Sequence, residues 1–169
     1  MTRRNPRSRR GMTLLESLVA VLILALLAVT ILAGGRTALR IYRQSTFASE
    51  SRMLTQTIND ALRDVLRYTT AVSTDDTGAV TSYTCPTYSV ADGCLQVGTG
   101  TEAGQIFLDA DGGTRLLTTA AYSGLYVQDF SVTCDGEYFT VTYALHDPLN
   151  NQTTDAAAFT CRGLNLPAA

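Results

Sequence analysis

The sequence contains no lysine and a single histidine, His146. The absence of lysine excludes Schiff-base catalysis and covalent cross-links between chains through a lysine side chain. One histidine, and no serine framed by glycines, leave little for nucleophilic catalysis. The sequence also lacks a phosphate-binding loop and a dinucleotide-binding fingerprint. We therefore predict no active site and no cofactor, and we interpret His146, beside Asp147-Pro148, as a surface turn residue.

Positive charge is scarce in the second half of the chain. From residue 68 onward two arginines oppose eleven Asp and Glu residues, whereas the first eleven residues hold five arginines and no acid. Removal of those eleven residues would lower the formal charge from −2 to −7. Because contacts with a phosphate backbone need clustered cations, we expect no direct binding of nucleic acid.

An uncharged apolar segment of seventeen residues occupies positions 17–33. As a helix it would span roughly 25 Å, and roughly 33 Å from Met12, which is enough to cross a bilayer core. The arginine-rich residues 1–11 should stay in the cytoplasm, while the chain beyond the segment is exported. A secretory signal peptide with a loose cleavage site at 33–35 is the rival interpretation. Glu16 argues against it, because a mid-membrane charge costs about 2.5–3.5 kcal/mol and a signal peptide has no use for one.

The segment GMTLLES at positions 11–17, preceded by basic residues and followed by the apolar run, resembles the cleavage and methylation motif of type IV prepilins. The resemblance implies that a membrane-embedded prepilin peptidase cuts between Gly11 and Met12 and methylates the new amine of Met12. It also implies that the apolar helix serves first as a membrane anchor and later as the filament core, where Glu16 pairs with the terminal amine of a neighbouring subunit. The family usually has phenylalanine where this chain has Met12.

Glu16 also permits a simpler interpretation. Thr13 and Glu16 match a capping box, in which the two side chains satisfy free amides at the start of a helix. Capping in the precursor and pairing in the mature subunit are compatible with each other.

Residues 36–69 contain neither proline nor glycine, and their apolar residues recur every three or four positions, which predicts an amphipathic helix. The apolar face consists of Leu54, Ile58, Ala61, Leu62 and Val65. Each glycine of Gly34-Gly35 costs about 1 kcal/mol in a helix relative to alanine, so the pair marks either a point that loosens in the filament or a membrane-exit boundary. Arg36, Arg40 and Arg43 form a cationic strip that would face lipid phosphates, acids of a neighbouring subunit, or solvent alone.

The composition after residue 69 shifts to Thr, Gly, Asp, Tyr and Val, which predicts a β-rich head. We expect strands at 79–83, 94–97, 105–108, 114–120, 126–134, 138–145 and 157–162. The hairpin around Asp135-Gly136 is the clearest, because apolar and polar residues alternate on both sides of the turn. Its buried face should pack on the apolar helix face. The predicted fold is thus α+β, with a long N-terminal helix packed on a C-terminal antiparallel sheet, as in type IV pilin-like proteins.

Four cysteines, Cys85, Cys94, Cys134 and Cys161, follow the apolar segment. Their spacing does not match paired zinc knuckles, and an even number in an exported domain favours disulfides. Three connectivities are possible. We favour Cys85–Cys94 and Cys134–Cys161, because each closes a local excursion of the chain, and four reduced buried thiols are the alternative.

The turn at positions 109–113 is acidic and rich in glycine, with Asp109 and Asp111 as its acids. It resembles the start of a calcium loop, but it lacks the later bidentate glutamate of an EF-hand. We interpret it as a hairpin turn and predict no metal site, with calcium binding as the open alternative.

The predicted organisation is a basic leader at 1–11, a transmembrane and filament-core helix at 12–35, an amphipathic stalk helix at 36–69, and a disulfide-bonded β-rich head at 70–169. The predicted function is a structural subunit of a type IV pilus or a type II secretion-like pseudopilus. Its partners would be prepilin peptidase, other pilin subunits and, before assembly, the lipid bilayer of the cytoplasmic membrane. Two alternatives stay open: an uncleaved single-pass membrane protein displaying a β-rich binding module, and a secreted hydrolase starting near residue 35.

Overall fold

A computed structural model describes residues 14–109 and 113–166 of the chain. One helix, α1 (Leu14–Arg67), precedes nine strands in the part of the chain that the structure describes. These strands are β1 (Ala71–Thr74), β2 (Val80–Cys85), β3 (Val90–Gly93), β4 (Gln96–Val97), β5 (Ile106–Phe107), β6 (Tyr126–Asp135), β7 (Tyr138–Asp147), β8 (Gln152–Thr153) and β9 (Ala157–Arg162). Clustering of contacts divides the chain into two compact units, Met1–Gln44 and Ser45–Ala169.

The described part of the first unit is entirely helical, and all of its side chains are exposed. Helix α1 passes through Gly34-Gly35 without a break, and apart from the adjacent residues and the backbone of the same helix no atom lies within 4 Å of the position that a Cβ would take at either glycine. Among the described residues, α1 is the helix that is long and apolar enough to cross a membrane.

The second unit consists of the C-terminal part of α1 and the antiparallel sheets. Strand β7 is central in the largest sheet, with β6 on one side and both β8 and β9 on the other. The smaller sheets are β1-β2-β3 and β4-β5. The β6–β7 hairpin turns at Gly136, whose φ of 59° suits glycine, and Asp135 pairs with Tyr138 across it. The predicted α+β class is confirmed, with the helix packed against a C-terminal antiparallel sheet.

The main core lies between the sheet and one face of α1. Leu54, Ile58 and Leu62 of the helix are at most 3 % exposed and pack with the inner face of β7. That inner face consists of Phe139, Val141, Tyr143 and Leu145, the alternate residues predicted to be buried. A second cluster surrounds Val65 and includes Tyr83 and Cys85 of β2. The apolar residues that recur at every second position of the strand therefore pack against those that recur every three or four positions of the helix, in one apolar layer.

The predicted strand at 114–120 is wrong, and strands β1, β3 and β8 were not predicted. Residues 114–120 were expected to form a strand, but they make a single bridge between Arg115 and Phe107 before the chain enters the 3-10 helix Thr119–Tyr122. In β6 the register shifts between Gln128 and Ser131, where Asp129 has a φ of 51°. Before the bulge the inward-facing residue is Val127, and after it the even-numbered residues of β6 face inward. An extra residue in a strand reverses the alternation of its two faces.

His146 also differs from its prediction as a turn residue. It lies within β7, where it pairs with Tyr126 of β6 and Thr153 of β8, and its Nδ1 is 3.0 Å from the hydroxyl oxygen of Thr153. The turn begins one residue later, because the carboxylate of Asp147 accepts hydrogen bonds from the backbone amides of Leu149 and Asn150.

Tyr143 joins the sheet to the helix by a polar contact inside the core. Its hydroxyl donates to Oδ1 of Asn59 at 2.7 Å and lies 3.1 Å from the carbonyl oxygen of Thr55. Burial raises the pKa of Tyr143 to about 12, so the phenol stays protonated and remains a donor at neutral pH.

We expect Tyr143→Phe to lower the free energy of unfolding by about 1 kcal/mol, because a typical intramolecular hydrogen bond contributes about that much and the ring volume is retained. Urea unfolding of the full chain in detergent, followed by near-UV circular dichroism, measures the difference. Tyr138→Phe is the matched control, since Tyr138 lies on the same strand and is 54 % exposed. An equal loss in both variants would contradict the role of the hydroxyl.

Candidate functional site

The N-terminal part of α1 presents an uncovered apolar surface. Thirteen Leu, Ile and Val side chains between Leu14 and Leu32 are each 46–83 % exposed. Thr30, a hydroxyl residue near the C-terminal end of the run, donates to the carbonyl oxygen of Leu27 within its own helix at 2.8 Å. Large contiguous apolar patches on monomers mark sites of interaction with membranes or other proteins. This surface therefore needs lipid or other helices around it.

Glu16 is the acid in the first turn of this helix, and its side chain is exposed. An acid at this position is stabilised by the partial positive charge of the helix N-terminus. The predicted cleavage site at Gly11 and Met12, the methylation site at Met12 and the capping partner Thr13 lie outside the described residues. The geometry thus places one member of the predicted site, the carboxylate, at the start of an uncovered apolar rod.

A family model described as the prokaryotic N-terminal methylation motif matches residues 6–32. This match supports a type IV pilin-like family for the N-terminal segment. The match includes Gly11, Met12 and Glu16, together with most of the uncovered apolar surface. No curated protein and no solved structure matches the chain, so the family likeness rests on this segment and on the α+β architecture behind it.

The four cysteines are free thiols in the structure. Cys85 is buried, and its thiol donates to the carbonyl oxygen of Val65 at 3.4 Å. Burial raises the pKa of Cys161 to about 11, and it also raises the pKa of Cys134, with a smaller contribution from Asp135. Such thiols are poor nucleophiles at neutral pH, because little thiolate forms.

The register bears on the favoured Cys134–Cys161 disulfide. Cys134 of β6 and Cys161 of β9 both pair with Phe139, from opposite sides of β7. Two interstrand spacings of about 4.8 Å separate them, which exceeds the Cα distance of about 7 Å that a disulfide can bridge. A bond between them would require movement of the backbone. The disulfides of Cys85, Cys94, Cys134 and Cys161 stay a prediction.

Asp109 closes its own loop. Its two carboxylate oxygens accept hydrogen bonds from the backbone amides of Gly113 at 2.8 Å and Thr114 at 3.0 Å. Asp111 lies outside the described residues, and within them no group of three His, Cys, Asp or Glu side chains is arranged to hold a metal ion. The contacts of Asp109 are those of a turn residue.

Sequence reasoning missed a groove on the head, which we call the acidic groove. It has a volume of about 440 Å³ and lies between the β1–β2 turn and the β6–β7 hairpin. Its lining consists of Asp76, Thr77, Gly78, Thr133, Cys134, Asp135 and Thr140. The two walls are joined by a hydrogen bond from the amide of Cys134 to the carbonyl oxygen of Gly78 at 2.9 Å. The turn residues on both walls were visible in the sequence, but their proximity depends on long-range pairing.

Asp75 shapes the first wall of the acidic groove. Its Oδ1 accepts hydrogen bonds from the hydroxyl of Thr77 and from the backbone amides of Thr77 and Ala79 at 2.6–2.9 Å. The hydroxyl of Thr77 is the main cause that lowers the pKa of Asp75, followed by the two amides. Asp75 is thereby engaged in the turn, and the next residue, Asp76, is left to face the groove.

Proposed function

We propose that the chain is a structural subunit of a type IV pilus or a type II secretion-like pseudopilus, and not an enzyme. One observation carries the proposal: the methylation motif at residues 6–32 coincides with a helix whose apolar surface is uncovered. A motif alone would fit a chance match, and an uncovered helix alone would fit any membrane anchor. Together they describe a segment that is processed at its start and then packed against other helices.

The proposed processing and assembly sites are Gly11, Met12 and Glu16. Glycine has no side chain that would obstruct a peptidase at the membrane surface. After cleavage, the amine of Met12 is a cation about one helical turn from Glu16. In the filament interior, Glu16 pairs with the methylated amine of a neighbouring subunit, and each charge offsets the desolvation cost of the other.

Before assembly, the apolar helix anchors the precursor in the cytoplasmic membrane. The five arginines within residues 1–11 hold the leader in the cytoplasm, and the head lies outside. Prepilin peptidase and other pilin subunits are then its partners, first for cleavage and next for polymerisation. Within the class we favour a minor pilin or pseudopilin over an abundant pilin, because the sequence pattern from Asp129-Phe130-Ser131-Val132 to Phe159-Thr160-Cys161-Arg162 resembles that of minor subunits.

The main alternative is an uncleaved single-pass membrane protein that displays the β-rich head as a binding module. It uses the same helix and the same topology. Mass spectrometry of the native protein separates the two directly. A mature chain that begins at a methylated Met12 supports the filament subunit, and a mature chain that retains Met1 supports the anchor.

We expect Gly11→Val to leave uncleaved precursor in the membrane and to lower the processed fraction at least about tenfold, since a barrier higher by about 1.4 kcal/mol already has that effect. Immunoblots of membrane fractions report the ratio of precursor to mature chain. Ser8→Val is the matched control, because it places the same side chain in the leader away from the cleaved bond. Normal cleavage of the Gly11 variant would reject this site of processing.

A further inference from the structure

The exposed arginines after the apolar run carry charge that the described part of the chain does not balance. The arginine strip, formed by Arg36, Arg40 and Arg43, lies on one face of α1 at intervals of four and three residues, with all three side chains exposed. The sequence has no acid from position 17 to position 49, and the two ion pairs among the described residues involve other arginines. Like charges at this spacing destabilise a helix, and anions from another molecule would relieve that repulsion.

The acidic groove is the complementary surface. Asp76 and Asp135 line it, and neither carboxylate is part of an ion pair or a side-chain hydrogen bond in the described chain. Thr77, Thr133 and Thr140 line it as well. A guanidinium group has five N–H donors in a planar fork, and carboxylates and hydroxyls are suitable acceptors for it.

The charge of the whole head agrees with this match. Residues 45–169 contain fourteen Asp and Glu residues but five arginines. Two of these arginines already form ion pairs, Arg115 with Glu102 and Arg162 with Glu137, and a third, Arg63, lies over the ring of Phe159. Among the residues that the structure describes, no arginine lines the acidic groove. The head therefore attracts cations from another molecule, and the guanidinium groups of the arginine strip are such cations.

We infer that the arginine strip of one copy of this chain docks on the acidic groove of a second copy. The inference rests on the proposed function, in which subunits leave the bilayer and pack side by side. Lipid phosphates are the competing anions for the strip, but they are lost when the subunit leaves the membrane, whereas the heads of neighbouring copies remain. The contact joins two different surfaces of adjacent copies, the strip of one and the groove of the other. It adds an electrostatic attraction to the packing of apolar helices.

A charge exchange tests the contact in the full chain. Two copies with different C-terminal tags are produced together, extracted from membranes in mild detergent and co-purified at low salt. We expect Arg40→Glu in both copies to lower co-purification about tenfold, and Asp135→Arg in both copies to do the same. The double variant, with both changes in both copies, should recover most of the association. Arg52→Glu and Asp155→Arg are matched controls, since both residues are exposed and lie outside the strip and the groove.

Each other outcome overturns the inference. Unchanged association in both single variants would show a merely solvated strip. Loss in the single variants without recovery in the double variant would place the partner acid elsewhere. If only Arg40→Glu has an effect, and it lowers binding to vesicles containing phosphatidylglycerol, the strip binds lipid. Asp76→Arg repeats the exchange from the other wall of the groove in case the Asp135 variant fails to fold.

The N-terminus of every preparation, read by mass spectrometry, separates failure of the contact from failure of the filament function. Recovery of association by a chain that retains Met1 would uphold the contact and reject the pilin-like function. A processed chain that begins at Met12, with association unchanged in all charge variants, would do the reverse.

Discussion

Replacement of Glu16 by valine is expected to leave cleavage intact and to lower incorporation into filaments at least about a hundredfold. Removal of one partner from a buried ion pair costs about 3–5 kcal/mol, because the other charge stays buried without compensation. Each 1.4 kcal/mol corresponds to a factor of ten in an equilibrium constant. In the Glu16→Val variant the uncompensated charge is the amine of Met12. The amount of tagged subunit in filaments sheared from cells, relative to the amount in membranes, measures the effect.

Thr30→Val is the matched control for this experiment. It introduces the same side chain into the same apolar run and removes a polar group of similar size, but Thr30 bonds only to its own helix in the structure. We expect incorporation of this variant to stay within a factor of about three, since a hydrogen bond of this kind contributes little net energy. If the Glu16 variant enters filaments as well as the Thr30 variant, pairing of charges does not drive assembly.

The largest effect on stability is expected at Phe139. This side chain is fully buried in the middle of the sheet, where it pairs with Cys134 on β6 and Cys161 on β9. We expect Phe139→Ala to lower the free energy of unfolding by about 3–5 kcal/mol, because the apolar contacts are lost and a cavity remains in the main core. Thermal and urea unfolding of the full chain in detergent, followed by near-UV circular dichroism, measure the change.

Tyr138→Ala is the matched control for Phe139→Ala. The two residues are neighbours on β7 and are both aromatic, but Tyr138 points to the outer face and is 54 % exposed. A change within about 0.5 kcal/mol is typical of such surface positions. A comparable loss in both variants would mean that the register of β7 differs from the one described.

The sequence predicts this architecture well wherever a local period reports a buried face. The helical segments were expected at 12–35 and 36–69, and one helix runs over Leu14–Arg67, while the last strand, Ala157–Arg162, has the expected bounds. In β7, every second residue from Phe139 to Leu145 is buried as the alternation indicated. These elements depend on nearest neighbours along the chain, so their pattern is visible without the fold.

The failures have a different physical origin. Residues 114–120 have strand-like composition, but the structure gives them one bridge to Phe107 and no continuous partner strand. The bulge near Asp129 lies in the pairing of β6 with β7, which no local pattern states. The acidic groove escaped prediction for the same reason, because Asp76 and Asp135 are far apart in sequence and meet only through the pairing of Ala79 with Thr133.

The candidate site divides in the same way. The match at residues 6–32 agrees with the motif predicted from the sequence. Such a motif can be recognised without the fold, because its residues are adjacent along the chain. The pairing of cysteines cannot be predicted from adjacent residues, since it depends on which strands become neighbours. The arrangement of Cys134 and Cys161 on either side of Phe139 illustrates why closeness in the sequence is a weak guide to such bonds.

The uninterrupted passage of α1 through Gly34-Gly35 bears on how the proposed filament would respond to force. No neighbouring atom demands glycine at either position, since the space where a Cβ would stand is empty. The residues supply backbone freedom where the packing does not require it. A residue that passes from helical to extended geometry lengthens the chain by about 1.8 Å. A few residues around this pair would therefore allow each subunit of the proposed filament to lengthen under tension.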